Sequence, residues 1–200
     1  MYDISECALK NVPSGVYSRC MIQRKEALLL QVRFTFSNFV PLFFPYNSFD
    51  SMQNNELTAL SGGGSLGDMG KILQVLDLHH NQLEKLPDEI GLLKSLRVLY
   101  VHHNKLKKLP DSIGDLPRLQ SLDLRANALK ELPSSMSKLK RLKTLDVSKN
   151  VKLKKLPKAL GHCHSLDKLI VETEVVQFPP VKVCTEGTEA MMRFFAKGIL

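Results

Sequence analysis

Apolar and polar positions along the middle of the chain repeat with one fixed period. Four successive units each open with a leucine, 23 residues after the leucine of the previous unit: Leu73, Leu96, Leu119 and Leu142. Each unit continues as L-x-x-L-x-[LV]-x-x-N, and its alternating apolar residues predict a short strand with the leucines on one side. A Leu-Pro pair in the second half predicts an extended return segment, since proline fixes φ and disfavours helix before it.

A repeat of this length and with this sequence pattern is typical of leucine-rich repeat proteins. One unit cannot bury its leucines alone, so neighbouring units stack and share a continuous core. Burial of each large aliphatic side chain contributes on the order of 2 kcal/mol. We therefore predict an α/β fold, a leucine-rich repeat solenoid: a curved horseshoe with a parallel sheet on its concave face and a short C-terminal capping helix. The recurrent asparagines are predicted to hydrogen-bond turn backbone groups in their own and adjacent repeats: Asn81, Asn104, Asn127 and Asn150.

The whole chain of 200 residues is predicted to form a single domain. Regular repeats occupy 73–165, and 166–200 form a terminal repeat and cap, in which Glu174 replaces the repeat asparagine. The segment from Thr185 to Lys197 is predicted to be a helix with Thr185 as its N-cap. Its apolar side is expected to cover the open end of the core and consists of four residues at helical spacing: Ala190, Met191, Phe194 and Phe195.

A stretch from residue 32 to residue 53 interrupts the pattern. It holds six of the nine phenylalanines in the chain, and removing it restores a continuous unit from Leu28 to Asn55. The codons for Val-Arg at its start and for Gln at its end can match the sequences of a splice donor and a splice acceptor site. We therefore interpret 32–53 as a retained intron or a disordered loop. An insertion inside a buried strand breaks its hydrogen bonds, whereas tolerated insertions lie in exposed loops. The alternative is a functional aromatic loop that contacts a partner or a membrane surface.

Composition and charge argue against several classes of function. The net charge is +8, but aromatic stacking residues are few outside 32–53, so nucleic-acid binding is not expected. The lysines are instead interpreted as a soluble repeat surface. We expect neither a membrane span nor a signal peptide. The four cysteines lie far apart without paired spacing, which predicts reduced thiols and a cytoplasmic protein: Cys7, Cys20, Cys163 and Cys184.

The exposed strand positions are the candidate site. No hydrolase, nucleotide-binding, zinc-protease or kinase signature occurs, so we expect no enzyme, no cofactor and no small-molecule substrate. A protein partner is expected on the concave face, with Tyr100 beside Val75 and Val98 as an apolar anchor. An acidic column next to a His/Arg column is expected to set the orientation of the partner. The alternative for the acidic column is that it only balances neighbouring basic residues. The predicted partner-binding residues are Asp77, His79, Val98, Tyr100, His102, Asp123, Arg125, Asp146, Ser148 and Lys168.

Two pairs of consecutive histidines, at 79–80 and 102–103, occupy the same place in neighbouring repeats. They are predicted to lie on adjacent strands, and histidines are common metal ligands. A zinc site needs three or four ligands with supporting hydrogen bonds, and no Cys or Glu lies in register with these rings. The two histidines of the far limb are not expected to converge with them. We therefore predict no metal site.

Three segments show a closer resemblance to known proteins: DISECALKNVPSGVYSRC, VLDLHHNQLEKLPDEIG and FPPVKVCTEGTEAMMRFF. Together they resemble the leucine-rich-repeat and sterile-alpha-motif-containing E3 ubiquitin ligases, over about 2–31 and 54–200. The LPxxIGxL motif also resembles a broader class, the intracellular repeats of Ras-pathway scaffolds. The ligase resemblance implies a recognition domain that is followed by a coiled coil, a sterile alpha motif and a RING finger. The zinc cluster of the RING has no counterpart in this chain, so no catalytic residue is carried over.

These observations predict an intracellular protein–protein interaction module that binds a protein partner through its concave face. The ligase resemblance implies that the module is the target-recognition arm of a RING ubiquitin ligase. The alternative is a stand-alone repeat scaffold in small-GTPase signalling. A downstream coiled coil and RING in the gene would select the first function, and a stop codon together with a co-purifying GTPase would select the second.

Overall fold

The computed structural model of the chain describes residues 2–6, 28–32, 49–51 and 66–197. Within these residues eight strands form one parallel sheet, in which each strand pairs with the next along the chain. Stacked repeats require this order, because each repeat crosses back over the core before the next strand begins. The strands are β1 (Tyr2–Glu6), β2 (Leu28–Val32), β3 (Phe49–Ser51), β4 (Val75–Asp77), β5 (Val98–Tyr100), β6 (Ser121–Asp123), β7 (Thr144–Asp146) and β8 (Lys168–Ile170).

The predicted strand pattern is confirmed in β4 to β8. The middle residue of each strand is a buried leucine, and these leucines pair across the sheet: Leu76, Leu99, Leu122, Leu145 and Leu169. The flanking residues of β5, β6 and β7 are partly exposed, because successive side chains of a strand point to opposite faces. The leucines join one continuous core that extends from Leu66 to Phe195.

Between Leu66 and His162, the return limbs contain short 3-10 helices. Four of these helices follow a proline in extended conformation, with φ between −72° and −69°. The extended segment predicted from the Leu-Pro pairs is therefore confirmed up to the proline, after which the chain tightens into i→i+3 turns. The helices are η1 (Leu66–Met69), η2 (Asp88–Leu92), η3 (Asp111–Asp115), η4 (Ser134–Lys138) and η5 (Lys158–His162).

Neighbouring return limbs approach each other closely at glycine. A Cβ on Gly114 would lie 2.3 Å from the carbonyl oxygen of Ser135, and a Cβ on Gly91 would lie 2.8 Å from that of Ser112. Atoms in a packed protein do not approach so closely, so a side chain at either position would push the limbs apart. The Ile-Gly pair of the repeat thus combines a core residue with a position that sets the stacking distance.

The predicted asparagine ladder is confirmed. Asn104 Nδ2 donates to Val101 O of its own repeat at 3.0 Å and to Leu78 O of the preceding repeat at 2.9 Å. Its Oδ1 accepts from the backbone N–H of Leu83, also in the preceding repeat, at 3.0 Å. The next two repeat asparagines make the same three bonds. The ladder therefore satisfies buried backbone groups at the turns, where the bonds of the sheet end.

The carboxyl-terminal cap contains two helices, α1 (Val181–Thr185) and α2 (Thr188–Lys197). The prediction of a single helix with Thr185 as its N-cap is therefore wrong at its start. The chain turns at Gly187, whose φ of +96° is a conformation that glycine adopts without strain. Thr188 begins the longer helix, and its hydroxyl accepts from the backbone N–H of Leu169 at 2.9 Å. This bond ties the cap to β8.

Helix α2 covers the end of the core, as the sequence predicts. Met191 and Phe195 are buried and belong to the same core cluster as the repeat leucines. Phe194 is partly buried, and its ring meets that of Phe178 edge to face with centroids 5.5 Å apart. Aromatic contacts of this kind add to area burial, so the cap closes the last repeat with its apolar side.

The structure describes four residues of the 32–53 stretch. Val32 is the last residue of β2, and Phe49–Ser51 form β3, which pairs with both β2 and β4. At these three residues the stretch is a strand of the sheet and not a loop. Its other residues lie outside the described ranges, so the retained-intron interpretation remains a prediction.

Candidate functional site

The strand residues that flank the buried leucines form columns across the sheet. Strands β4 to β8 pair in one register, so equivalent positions lie side by side. The first column is Val75, Val98, Ser121, Thr144 and Lys168. The second column is Asp77, Tyr100, Asp123, Asp146 and Ile170. These columns and the turn residues directly after them form the concave face, which carries all ten predicted partner-binding residues.

Val98 and Tyr100 lie at the two ends of β5, and both are partly exposed, whereas Val75 of the predicted anchor is buried. Burial raises the pKa of the Tyr100 hydroxyl, and the nearby carboxylates of Asp77 and Asp123 raise it further. The hydroxyl therefore stays protonated at neutral pH and can donate a hydrogen bond. Tyr100 thus offers an apolar ring with a polar tip, the combination that favours tyrosine at interfaces. Binding by this anchor pair remains a prediction.

The acidic column is engaged in turns of the chain itself. Asp123 Oδ1 accepts from the backbone N–H of Arg125 at 2.9 Å. Asp146 Oδ1 accepts from the Ser148 backbone N–H at 2.9 Å and from its hydroxyl at 2.7 Å, and Asp77 is only 7% exposed. A carboxylate bonded to the backbone two residues on forms an Asx-type turn. These carboxylates therefore stabilise the exit of the chain from each strand, a role that neither sequence interpretation anticipated.

The remaining polar positions differ in how available they are to a partner. Lys168, at the start of β8, is exposed. Ser148 already donates its hydroxyl to Asp146. The Nε of Arg125 is buried and has no hydrogen-bond partner within the described residues. Of these side chains, Lys168 is the most exposed, whereas Arg125 and Ser148 are partly exposed.

Four imidazole rings lie together where β4 and β5 lead into their turns, and we call His79, His80, His102 and His103 the histidine cluster. Rings at equivalent positions stack, with centroids 4.5 Å apart for His79 and His102 and 4.2 Å apart for His80 and His103. Within one repeat, His102 Nδ1 lies 2.8 Å from His103 Nδ1, a hydrogen-bond distance. One ring nitrogen from each of His80, His102 and His103 lies within 4.8 Å of the other two.

A left-handed backbone brings the second histidine of each pair into the cluster. His80 and His103 have φ of 54° and 55°, and Ala126 and Lys149 adopt the same conformation one and two repeats later. The conformation therefore belongs to the repeat turn, and histidine is one of the residue types that tolerates it. The sequence predicts that the pairs lie on adjacent strands, whereas the structure places them in the turns that follow the adjacent strands β4 and β5. The sequence does not predict that three ring nitrogens converge.

Burial lowers the pKa of His102 to about 3, and neighbouring histidine and arginine charges contribute. Burial likewise lowers the pKa of His80 and of His103, again with neighbouring positive charges. These three imidazoles are therefore neutral at pH 7, and each has one unprotonated ring nitrogen. On its other side, His102 Nε2 lies 4.0 Å from Asp123 Oδ2, a carboxyl whose pKa is raised by burial.

Several lysines of the return limbs pair with acidic side chains one repeat away. Lys107 Nζ lies 2.7 Å from Glu84 Oε2, and Lys138 Nζ lies 3.1 Å from Asp115 Oδ1. All four side chains are largely exposed, so each pair contributes little to stability. This arrangement agrees with the interpretation of the lysines as a soluble repeat surface. In the part of the chain that the structure describes, no helix has the length and apolar character of a membrane span.

Comparisons with known proteins agree with this architecture. The family model described as leucine-rich repeat region matches residues 71–179, which is more than half of the chain. E3 ubiquitin-protein ligase LRSAM1 of Mus musculus is 36% identical over 91 residues, which cover 46% of this chain and 10% of that protein. The structure of the Leptospira interrogans LRR protein LIC12759 aligns with a TM-score of 0.52 at 26% identity, over 86% of this chain and 50% of that one. The chain thus spans half or less of the length of these relatives.

Proposed function

We propose, because the chain belongs to the leucine-rich repeat family, that it is a protein–protein interaction module and binds its partner through the concave face. The observation that supports this is the partly exposed pair Val98 and Tyr100 on β5. Strand β5, which carries the pair, shares one core with the rest of the solenoid. The surface is therefore held in place before binding and loses little entropy on association. Tyrosine is among the residue types that dominate interface energies.

The charges around this anchor favour a definite orientation of the partner. Lys168 is exposed at the far end of the first column, whereas the nearby carboxylates are already bonded within the chain. A partner with an acidic group opposite Lys168 and an apolar group opposite Tyr100 would match both features. We therefore propose Val98, Tyr100 and Lys168 as the principal contacts, and the other seven predicted residues as their surroundings.

A site-specific photocrosslinker tests this proposal in cells. A photoreactive amino acid replaces Tyr100 in the full chain, and in a control variant it replaces Leu92, an exposed apolar residue of η2 (46% exposed). We expect a defined protein adduct at position 100 that is absent at position 92. Equal adducts at both positions, or none at position 100, would contradict the proposal.

The protein identified in that adduct then allows a quantitative measurement. Tyr100→Ala should weaken its binding to the purified chain by about 2 kcal/mol, or roughly 30-fold, the loss expected for an interface hot spot. Leu92→Ala serves as the matched control and should leave affinity unchanged. Circular dichroism of both variants distinguishes a lost contact from a lost fold.

We further propose that the module is the target-recognition arm of a RING ubiquitin ligase. The similarity to mouse LRSAM1, which is named as a ubiquitin ligase, supports this step. Sequencing the full transcript would show whether a coiled coil and a RING follow in the gene. If they do, depletion of the gene product should reduce ubiquitination of the crosslinked partner. Unchanged ubiquitination would contradict the ligase role and leave the binding proposal intact.

A cytoplasmic location is also proposed. Cys163 and Cys184 are buried free thiols, which is the usual state of cysteine in reducing compartments. Fractionation of cells that express the tagged full chain tests this, and recovery in a secretory fraction would contradict it.

A further inference from the structure

We propose that His80, His102 and His103 form a binding site for a divalent transition-metal ion at the edge of the concave face. This proposal does not depend on the proposed protein-binding function, because it requires no partner. It rests on three ring nitrogens from two neighbouring repeats that lie within 4.8 Å of one another.

The spacing of these nitrogens is close to what a metal requires. Tetrahedral zinc binds imidazole nitrogen at about 2.0–2.1 Å, which places its ligand nitrogens about 3.4 Å apart. The Nδ1 atoms of His102 and His103 are already 2.8 Å apart, and the third nitrogen, from His80, lies within 4.8 Å of both ligand rings. Modest rotations of exposed or partly exposed rings would therefore complete the geometry without movement of the strands.

Stacking across the repeats supports the three ligands. His79 stacks on His102 with centroids 4.5 Å apart, and its Nδ1 is bonded to Asp77 Oδ1. His80 stacks on His103 with an interplanar angle of 8°. The His102 ring thus faces a ring held by the neighbouring repeat, while His80 and His103 would tilt out of their parallel stack so that the in-plane lone pairs of both rings point to one ion.

A carboxylate lies beside the ring of His102, on the side away from the other nitrogens. The Nδ1 of His102 points towards His103, while its Nε2 lies 4.0 Å from Asp123 Oδ2. Ligating histidines usually present their second nitrogen to a carboxylate or carbonyl, which fixes the tautomer and raises the basicity of the ligand. Asp123 is in turn held by the backbone N–H of Arg125. We therefore assign Asp123 as a positioning residue of the site.

The donor set selects the class of ion. Three imidazoles suit Zn²⁺, Cu²⁺ or Ni²⁺, whereas Ca²⁺ and Mg²⁺ prefer oxygen ligands. Metal binding requires neutral imidazole, so binding should weaken as the pH falls. Three protein ligands leave a fourth position for water or for a donor atom of another molecule.

Zinc titration of the untagged, chelator-treated full chain tests the proposal. Isothermal titration calorimetry should show one equivalent of Zn²⁺ bound to the wild-type chain. His80→Asn and His103→Asn should each weaken that affinity by more than about tenfold, because loss of a supporting carboxylate alone typically costs 10- to 100-fold. Asparagine is chosen because it tolerates the left-handed backbone of both positions. His164→Asn, at an exposed histidine of the return limb, is the control and should bind zinc as the wild type does.

Two further measurements separate this site from other binders of zinc. Asp123→Asn should weaken zinc binding by about tenfold or more, and His102→Gln should do so with retained circular dichroism. A Co²⁺ complex should show ligand-field absorption without thiolate-to-metal charge transfer, because the cysteines do not take part. Zinc affinity that is unchanged in both His80→Asn and His103→Asn, or a thiolate band in the cobalt spectrum, would overturn the assignment.

Discussion

Replacement of Asn127 by alanine is the most direct test of what joins one repeat to the next. Asn127 Nδ2 donates to Val101 O at 2.9 Å and to Leu124 O at 3.0 Å. Its Oδ1 accepts from the backbone N–H of Leu106 at 3.0 Å. The side chain is only 8% exposed, so these backbone groups cannot simply turn to bulk water. Alanine would leave the backbone N–H of Leu106 without a partner, whereas Val101 O and Leu124 O would each lose one hydrogen bond and keep Asn104 Nδ2 and Asn150 Nδ2 as donors.

The expected loss follows from the number of bonds. Each hydrogen bond contributes about 1 kcal/mol net, and a buried group left unsatisfied costs about 1–3 kcal/mol. The loss of three hydrogen bonds, one of which leaves the Leu106 N–H unsatisfied, gives about 3 kcal/mol. For a domain of this size the loss corresponds to a fall in unfolding temperature of about 6–12 °C. Few single substitutions destabilise a protein more strongly than this.

Urea denaturation followed by far-ultraviolet circular dichroism measures the effect in the full chain. The control is Gln82→Ala, which also truncates a side-chain amide but at an exposed position, where the amide only accepts from Lys105 Nζ at 3.2 Å. The control should change stability by no more than about 0.5 kcal/mol. A loss below about 1 kcal/mol for Asn127→Ala, close to the control, would refute the ladder as the joint between repeats.

Two further predictions concern the return limbs. Gly114→Ala should lower the free energy of unfolding by about 1–3 kcal/mol through overpacking, since its Cβ would lie 2.3 Å from Ser135 O. Ser134→Ala, at an exposed position, is the control. Equal urea midpoints for the two variants would contradict the argument. Burial raises the pKa of the Cys163 thiol, so at pH 8 it should react with iodoacetamide far more slowly in native protein than in urea. Peptide mapping by mass spectrometry checks this, and rapid native labelling of Cys163 would show that the limb opens.

The repeat architecture could be predicted because each signal is local and occurs several times. A buried leucine at the centre of every strand, such as Leu122, needs only strand alternation to be placed correctly. The asparagine ladder needs only an amide at the same point of each repeat. The cap was less predictable, because Thr185 and Thr188 are both plausible N-caps by residue type. Only the packing of Thr188 against Leu169 and the turn at Gly187 decide between them.

The histidine cluster shows where strand alternation stops being informative. Consecutive residues of a strand point to opposite faces, so His102 and His103 would be expected to diverge. Strand β5 ends at Tyr100, however, and the left-handed backbone of His103 turns its ring back to within hydrogen-bond distance of His102. Residue type does not reveal that rotation, since alanine and lysine adopt it at the equivalent positions of later repeats, and it became evident only from the backbone geometry.

The acidic column leads to a related conclusion about the concave face. From the sequence alone, Asp123 and Asp146 are as plausible partner contacts as Tyr100, because all three occupy the same strand position in successive repeats. In the structure the two carboxylates accept hydrogen bonds from their own turns, and a partner could use them fully only by competing with those bonds. Among the residues that the structure describes, the Tyr100 hydroxyl and the Lys168 ammonium make no comparable hydrogen bonds. A partner should therefore gain more binding free energy from contacts with these two residues than from contacts with the acidic column. Position on the concave face alone does not show which side chains are available to bind a partner.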